Sequence, residues 1–345
     1  MKRHLWAILL VCAMLLGLVP SALAQGVDLN CLGLSADDCK IVTDATANTA
    51  NLRSFNQSFT FELNVSGMET LDPTAEPVAL KASGSGPFVF NPAAESMQSG
   101  FAMALDMTGE ANGESGAFSL VIVDGVLYFK DPSNDKWMGI KLEDAMGQAG
   151  ALTGGLVPGI GSSDSGTEVD PAAAQAAMGA MSALATFDPF AIDGFANQSR
   201  LGDESLDGQT MYAFQHTFNL DALFKSPQFQ KLLTDLGQVA AQADQSAAQV
   251  AMMLPMISQL ATGEIAFTRW IGADDGFAHR IVLSADLNID LNAMMGASGS
   301  SGQQMPPINL QFSLSVDMSN INDTAAPVAP EGAEMIDLSE AMSGM

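Results

Sequence analysis

The sequence predicts an α+β domain in which a long antiparallel sheet of roughly nine strands curls around helical insertions. Three observations carry this expectation. Several segments alternate apolar and polar residues at period two, as in Phe59, Phe61, Leu63 and Val65. Asp-Gly pairs at 124–125 and 207–208 separate neighbouring alternating segments, the strongest short hairpin signal. Between the alternating blocks lie stretches rich in Gly, Ala, Met and Ser that carry helix start signals.

The chain opens with Lys2 and Arg3 before an apolar run from Leu5 to Val19. Pro20-Ser21-Ala22-Leu23-Ala24 then places small residues where a signal peptidase reads, so residues 1–24 are expected to be a signal peptide cleaved between Ala24 and Gln25. Retention of the run as a membrane anchor is the alternative, since it is nearly long enough to span a bilayer. No lipid anchor is expected, because Cys12 follows Val11 in the middle of the run rather than at its end. The mature protein is therefore expected in the periplasm or outside the cell.

Residues 25–53 form a polar N-terminal segment with Cys31 and Cys39, which an oxidising compartment allows to pair. Metal ligation is the sharper reading of the two thiols, but no nearby His or second Cys pair completes a tetrahedral set. Ser35-Ala36-Asp37-Asp38 reads as a helix N-cap with acids in the first turn, leading into a helix that ends near Leu52. A strand with one wet face follows over Ser54 to Ser66. Phe88 to Phe90, Ser99 to Met107, Ala117 to Val123 and Val126 to Lys130 continue it as an antiparallel meander.

From Lys141 to Phe190 two short helices, near 141–149 and 170–186, are expected around a Gly-rich loop. Asp170-Pro171 is a start signal for the second, whose Met178 and Met181 lie on an Ala-rich surface. That surface suits simple packing on a sheet or a lid on a ligand cavity. Strands resume over Ser199 to Ser205 and Gln209 to Asn219, followed by a helix over Leu220 to Leu236 and another over Asp244 to Leu260. Gly263 to Ile271, Ala278 to Leu291 and Pro307 to Met318 complete the sheet. Insertions near 141–190 and 220–262 thus interrupt one domain over 54–320, and residues 321–345 read as a flexible tail.

Composition excludes several classes of function. The whole chain has 13 basic against 39 acidic residues, a formal charge of −26, which repels nucleic acid. A chain that is 48% hydrophobic needs such a charged exterior to stay soluble. Beyond the leader no apolar stretch has the length of a membrane span; the candidate from Ala247 to Ala261 is broken by Gln249, Pro255, Ser258 and Gln259. Nucleophile elbows, P-loops and His-Glu-x-x-His motifs are absent, and the sequence calls for no cofactor or metal. The Asp274-Asp275 pair sits in a turn, where Asp is expected for conformational reasons. No catalytic residues are assigned.

Gly125-Val126-Leu127-Tyr128-Phe129 with Lys136-Trp137 are the first of a recurring set of hairpins. Leu206-Asp207-Gly208-Gln209-Thr210-Met211-Tyr212, and Arg269-Trp270-Ile271-Gly272 before Asp275-Gly276 and Arg280, are the next. Their order resembles the successive hairpins of the LolA-like and LppX/LprG-like bacterial lipid-carrier superfamily, over about Ser54 to Met318. The resemblance implies a half-barrel of antiparallel strands with helices packed on its concave face, and a cavity between them that takes acyl chains. Unlike the lipoprotein members, this chain has no Cys at the expected mature start.

Candidate ligand-lining residues follow from the helices and one strand. Met178, Met181, Met252, Met253 and Met256 are unbranched and can re-pack around acyl chains of differing shape, or fill an ordinary core. On the strand over Gln209 to Asn219, period two places Tyr212, Phe214, His216 and Phe218 on one apolar face. His216 there reads as a hydrogen-bonded core residue or as a ligand contact. The expected function is an exported, non-enzymatic protein that binds a hydrophobic small molecule or lipid, with a membrane surface as a further contact. An extracellular interaction scaffold with a closed core is the alternative, and a stress sensor pairing through the sheet edge is a third reading. Oligomeric state is not legible.

Overall fold

The structure is a computed structural model that describes residues 31–68, 77–91, 100–130, 134–143, 189–234, 260–290 and 306–336. The signal segment, the Gly-rich loop, the helices expected near 170–186 and 244–260, and all but residues 141–143 of the helix expected near 141–149 lie outside the described residues, apart from Leu260.

One open, curled sheet dominates, of twelve strands among the described residues against the roughly nine expected. In chain order they are β1 (Ser54–Ser66), β2 (Val78–Phe90), β3 (Phe101–Ala111), β4 (Glu114–Val123), β5 (Val126–Lys130), β6 (Trp137–Lys141), β7 (Ala196–Leu206), β8 (Gln209–Asn219), β9 (Ala261–Gly272), β10 (Ala278–Ile289), β11 (Ile308–Ser319) and β12 (Glu334–Met335). Their order across the sheet is β12-β6-β5-β4-β3-β2-β1-β11-β10-β9-β8-β7, antiparallel except for the β12–β6 pair. The early meander and the late one meet where β1 pairs with β11 over Asn56 to Ser66.

Turn chemistry fixes the hairpins. Asp124 and Gly125 have φ of 52° and 73°, and Asp207 and Gly208 of 52° and 83°, the left-handed pairs that two-residue hairpins need. Asn112-Gly113 makes a third such turn, with φ of 49° and 83°. It lengthens β3 and β4 beyond the expected ends, because Thr108, Gly109 and Glu110 pair across to β4 although they break the apolar alternation. In β2 the missed signal is Gly84 and Gly86. A Cβ at Gly86 would stand 2.1 Å from the Ala104 carbonyl oxygen, so only glycine lets β2 and β3 approach there. Gly86→Ala is expected to destabilise the fold by about 1–3 kcal/mol, read as a lower denaturation midpoint; an unchanged midpoint would contradict this close approach.

β6 was not expected, a helix being read from near 141, but five residues suffice for it to pair with β5 from Lys130↔Trp137 to Val126↔Lys141. β12 lies on its far side, where Lys136 Nζ meets Glu334 Oε1 at 3.0 Å.

Helices are few among the described residues. α1 (Ala36–Asn48) is capped by Ser35, whose hydroxyl accepts from the Asp38 N–H. Cys31 and Cys39 form a disulfide across its start. α2 (Leu220–Lys225) is capped by the Asn219 side chain. The single helix expected over Leu220 to Leu236 is broken: Ser226 is extended, with φ −70° and ψ 137°, because the residue before a proline avoids the helical region. Its hydroxyl accepts from the Phe229 N–H and caps a second helical stretch, described over 227–234, in which Pro227 takes the first position.

Candidate functional site: an apolar sheet face with a buried cation

Because strand side chains alternate, the register divides the sheet into two faces. One face carries acids, amides and hydroxyls, with Glu62 opposite Lys81 and Arg280 paired to Asp317. The other is apolar across nearly every strand. At the level of Phe59 it reads Phe214, Arg269, Ile281, Val316, Phe59, Gly84, Met107 and Phe118 in adjacent strands.

That apolar face has two regions. Over β1 to β4, with Ile281, Val316 and Met318, it is a fully buried cluster that includes the stacked Phe55 and Phe88 rings. Over β9, β10, β11 and the second half of β1, its residues are only half-buried: Phe267, Leu283, Leu314, Phe61, Phe312 and Leu63 form a contiguous patch. Phe61 and Phe312 meet edge-on at 5.4 Å within it. Beside Phe61 the register brings only Ala82, Gly109 and Gly116.

Tyr212, Phe214, His216 and Phe218 share the apolar face of β8, as period two predicts. Phe214 is completely enclosed and, with Ile271 and half-buried Tyr212, packs against Val42 and Ala45 of α1. Arg200 fastens the helix from β7: its Nη1 donates to Asp38 at 2.6 Å, its other end pairs with Asp203, and its guanidinium lies 4.9 Å over the Tyr212 ring. The Ser35 hydroxyl, and then Arg200, hold the Asp38 carboxyl below its ordinary pKa. Phe218 contacts Phe195 at 5.6 Å, and His216 contacts Phe267, at the border of the half-buried patch, at 5.9 Å. Met178, Met181, Met252, Met253 and Met256 lie outside the described residues.

The apolar face contains a polar cluster that sequence reasoning missed. Gln198 on β7, His216 on β8 and Arg269 on β9 stand next to one another. His216 Nε2 is 3.1 Å from Gln198 Nε2 and 3.4 Å from Arg269 Nη2. His216 is 2% and Gln198 3% exposed, and the Arg269 Nε is enclosed although its residue as a whole is half-buried. Burial, and secondarily the Arg269 charge, pushes the His216 pKa down to about 4, so the imidazole is neutral at pH 7. Burial also lowers Arg269, to about 10, which leaves it charged. Among the described residues no carboxylate pairs with this cation, and both Gln198 Oε1 and Arg269 Nε lack a hydrogen-bond partner. The signal was present in β9: Ile265, Phe267, Arg269 and Ile271 form one period-two series, so a charge inside an apolar row was readable.

The remaining sequence candidates are conformational. Asp275 accepts from the Phe277 N–H at 3.0 Å in its turn and meets His279 Nε2 at 2.8 Å. Trp270 Nε1 donates to Glu204 at 2.9 Å on the polar face. Among the described residues, no cluster of His, Cys, Asp or Glu could hold a metal ion, and no helix is long and apolar enough to cross a membrane.

No protein-family model matches the sequence, and no curated protein matches it. Solved structures do. LprF from Mycobacterium bovis is 14% identical at a TM-score of 0.33, over 87% of this chain and 98% of that one. The Mycobacterium tuberculosis lipoprotein LppX is 13% identical at 0.33, over 83% of this chain and 95% of that one. A LolA superfamily protein from Nitrosomonas europaea is 10% identical at 0.15, over 87% and 96%. These likenesses are loose, and the function proposed below rests on the sheet itself.

Proposed function

We propose that this chain is an exported, non-enzymatic protein that binds a hydrophobic ligand, a lipid or an acylated molecule, between its sheet and its helices. The observation that supports this is the half-buried apolar patch over β9, β10, β11 and β1. These strands lie in the interior of the sheet order, away from both edges, where a closed core buries side chains most completely. Contiguous apolar surface left partly open on a monomer marks a binding site. Each acyl methylene buried there contributes about 0.8 kcal/mol, so a modest slot retains a long chain. The methionines at 178, 181, 252, 253 and 256 supply adaptable surface if their helices cover the patch. A membrane surface is the natural source and destination of such a ligand.

Native mass spectrometry with organic extraction of the purified mature protein tests this. Acyl lipid co-purifying at near-stoichiometric amount is the expected result. A clean ligand-free mass, unchanged after incubation with phospholipid vesicles, would sink the proposal and leave a scaffold with a closed core.

A further inference from the structure

We propose that Arg269, with His216 and Gln198, anchors the oxyanion of an amphipathic ligand, a carboxylate or phosphate, whose apolar part lies on the neighbouring sheet face. This rests on the hydrophobic-ligand reading above and adds the polar end of the ligand to it.

The first ground is an unmet charge. Arg269 projects between Phe214 and Ile281, 0% and 4% exposed, and its Nε is enclosed without an acceptor. Isolated buried charge is costly, and ordinarily a carboxylate answers it. Here the neighbouring polar group is a neutral imidazole, which supplies no counter-charge.

The second ground is the state of Gln198. Its Nε2 reaches His216 and its Oε1 is buried with no partner. The two ends of an amide are interchangeable in shape. With them exchanged, His216 Nε2–H donates to the amide oxygen, and the unmet end becomes an N–H. The buried unmet groups are then both donors, the Arg269 Nε–H and one Gln198 amide N–H, which is the kind of set that an oxyanion takes up. Guanidinium binds carboxylate and phosphate through paired N–H groups, so both head groups fit the same chemistry.

The third ground is position. His216, Phe267, Leu283, Leu314 and Phe61 form one row across β8, β9, β10, β11 and β1. Four strand spacings span about 19 Å, the scale of a long acyl chain. The polar cluster stands at one end of that row, and the small residues Ala82, Gly109 and Gly116 continue it past Phe61 at the other. An amphiphile with its oxyanion at Arg269 lays its chain along the half-buried patch.

Binding of oleate, oleyl alcohol, lysophosphatidate and inorganic phosphate to the delipidated protein and to Arg269→Met tests this. The wild-type protein is expected to bind oleate or lysophosphatidate about tenfold or more tightly than the alcohol, and Arg269→Met to remove that preference while keeping the alcohol affinity. The ligand-free melting temperature of Arg269→Met should be equal or higher, because a partly enclosed charge without a counter-ion has been removed; Arg269→Lys, which keeps the charge without the fork, should fall between in affinity. A variant that melts lower and loses the alcohol as well assigns Arg269 a structural role and overturns the anchor. Equal binding of acids and alcohol, or a preference surviving in Arg269→Met, also overturns it and leaves apolar binding intact. Inorganic phosphate binding as tightly as the amphiphiles makes this a free-anion site and overturns the head-group assignment. If no amphiphile binds, both this inference and the hydrophobic-ligand reading fall.

Discussion

Phe214→Ala is expected to lower the unfolding free energy by about 3–5 kcal/mol, the range for truncating a buried aromatic side chain. Phe214 is 0% exposed and joins β8 to α1 through Val42 and Ala45, with Ile271 beside it. The cost falls toward the upper end of that range when the surroundings cannot close over the space. Here α1 is held away from collapse by Arg200, which bonds Asp38 on the helix while lying over Tyr212 and 5.9 Å from the Phe214 ring. Asn48, at the other end of α1, donates to the Gly276 carbonyl of the β9–β10 turn. The variant therefore keeps its helix at both ends over a void. Guanidinium denaturation followed by circular dichroism measures the loss, and hydrogen exchange at Val42 to Ala45 should quicken locally. A loss under about 1 kcal/mol would mean that α1 settles into the space and is not positioned by its ends.

The same residues show what the sequence made legible. Period-two counting placed β1 at its observed bounds because it has one wet face, and the turn signals beside them placed β5 and β8 at theirs. The two Asp-Gly turns were readable because left-handed backbone restricts residue choice so severely. Strand β6 was not, since five residues beside a Trp do not establish a period, and β12 is two residues long. The helix after β8 was read too long because its apolar spacing continues through Ser226-Pro227, where backbone sterics overrule it. Tyr212, Phe214, His216 and Phe218 were placed on one face because they lie on one strand. The cluster around His216 was not foreseen, because Gln198 and Arg269 join it only through the β7–β8 and β8–β9 registers, and cross-strand register is a property of the folded sheet rather than of any segment.

The second large effect is a pH dependence centred on His216. Its ordinary pKa of 6.5 falls to about 4 in the folded protein, first through burial and then through the Arg269 charge. A base whose pKa is lowered by folding holds fewer protons in the native state than in the unfolded one between those two values. Stability is therefore fully present above about pH 6.5 and declines as the pH falls toward 4. Between pH 7 and pH 5 the loss from this group is about 2 kcal/mol, before the bulk of the carboxylates begin to titrate. The groups that face the ring are Arg269, Gln198 and Phe267, and none of them offers an anion to an imidazolium. Denaturation midpoints at pH 7 and pH 5 should thus separate more widely for the wild-type protein than for His216→Gln, with the difference near that size. Equal separation would show that the imidazole is protonated without penalty, which requires a counter-charge beside it. Adding a bound oxyanion to the wild-type protein should narrow the gap, since an anion at Arg269 would stand next to His216 and offset the Arg269 charge, the lesser of the two causes that keep the ring neutral.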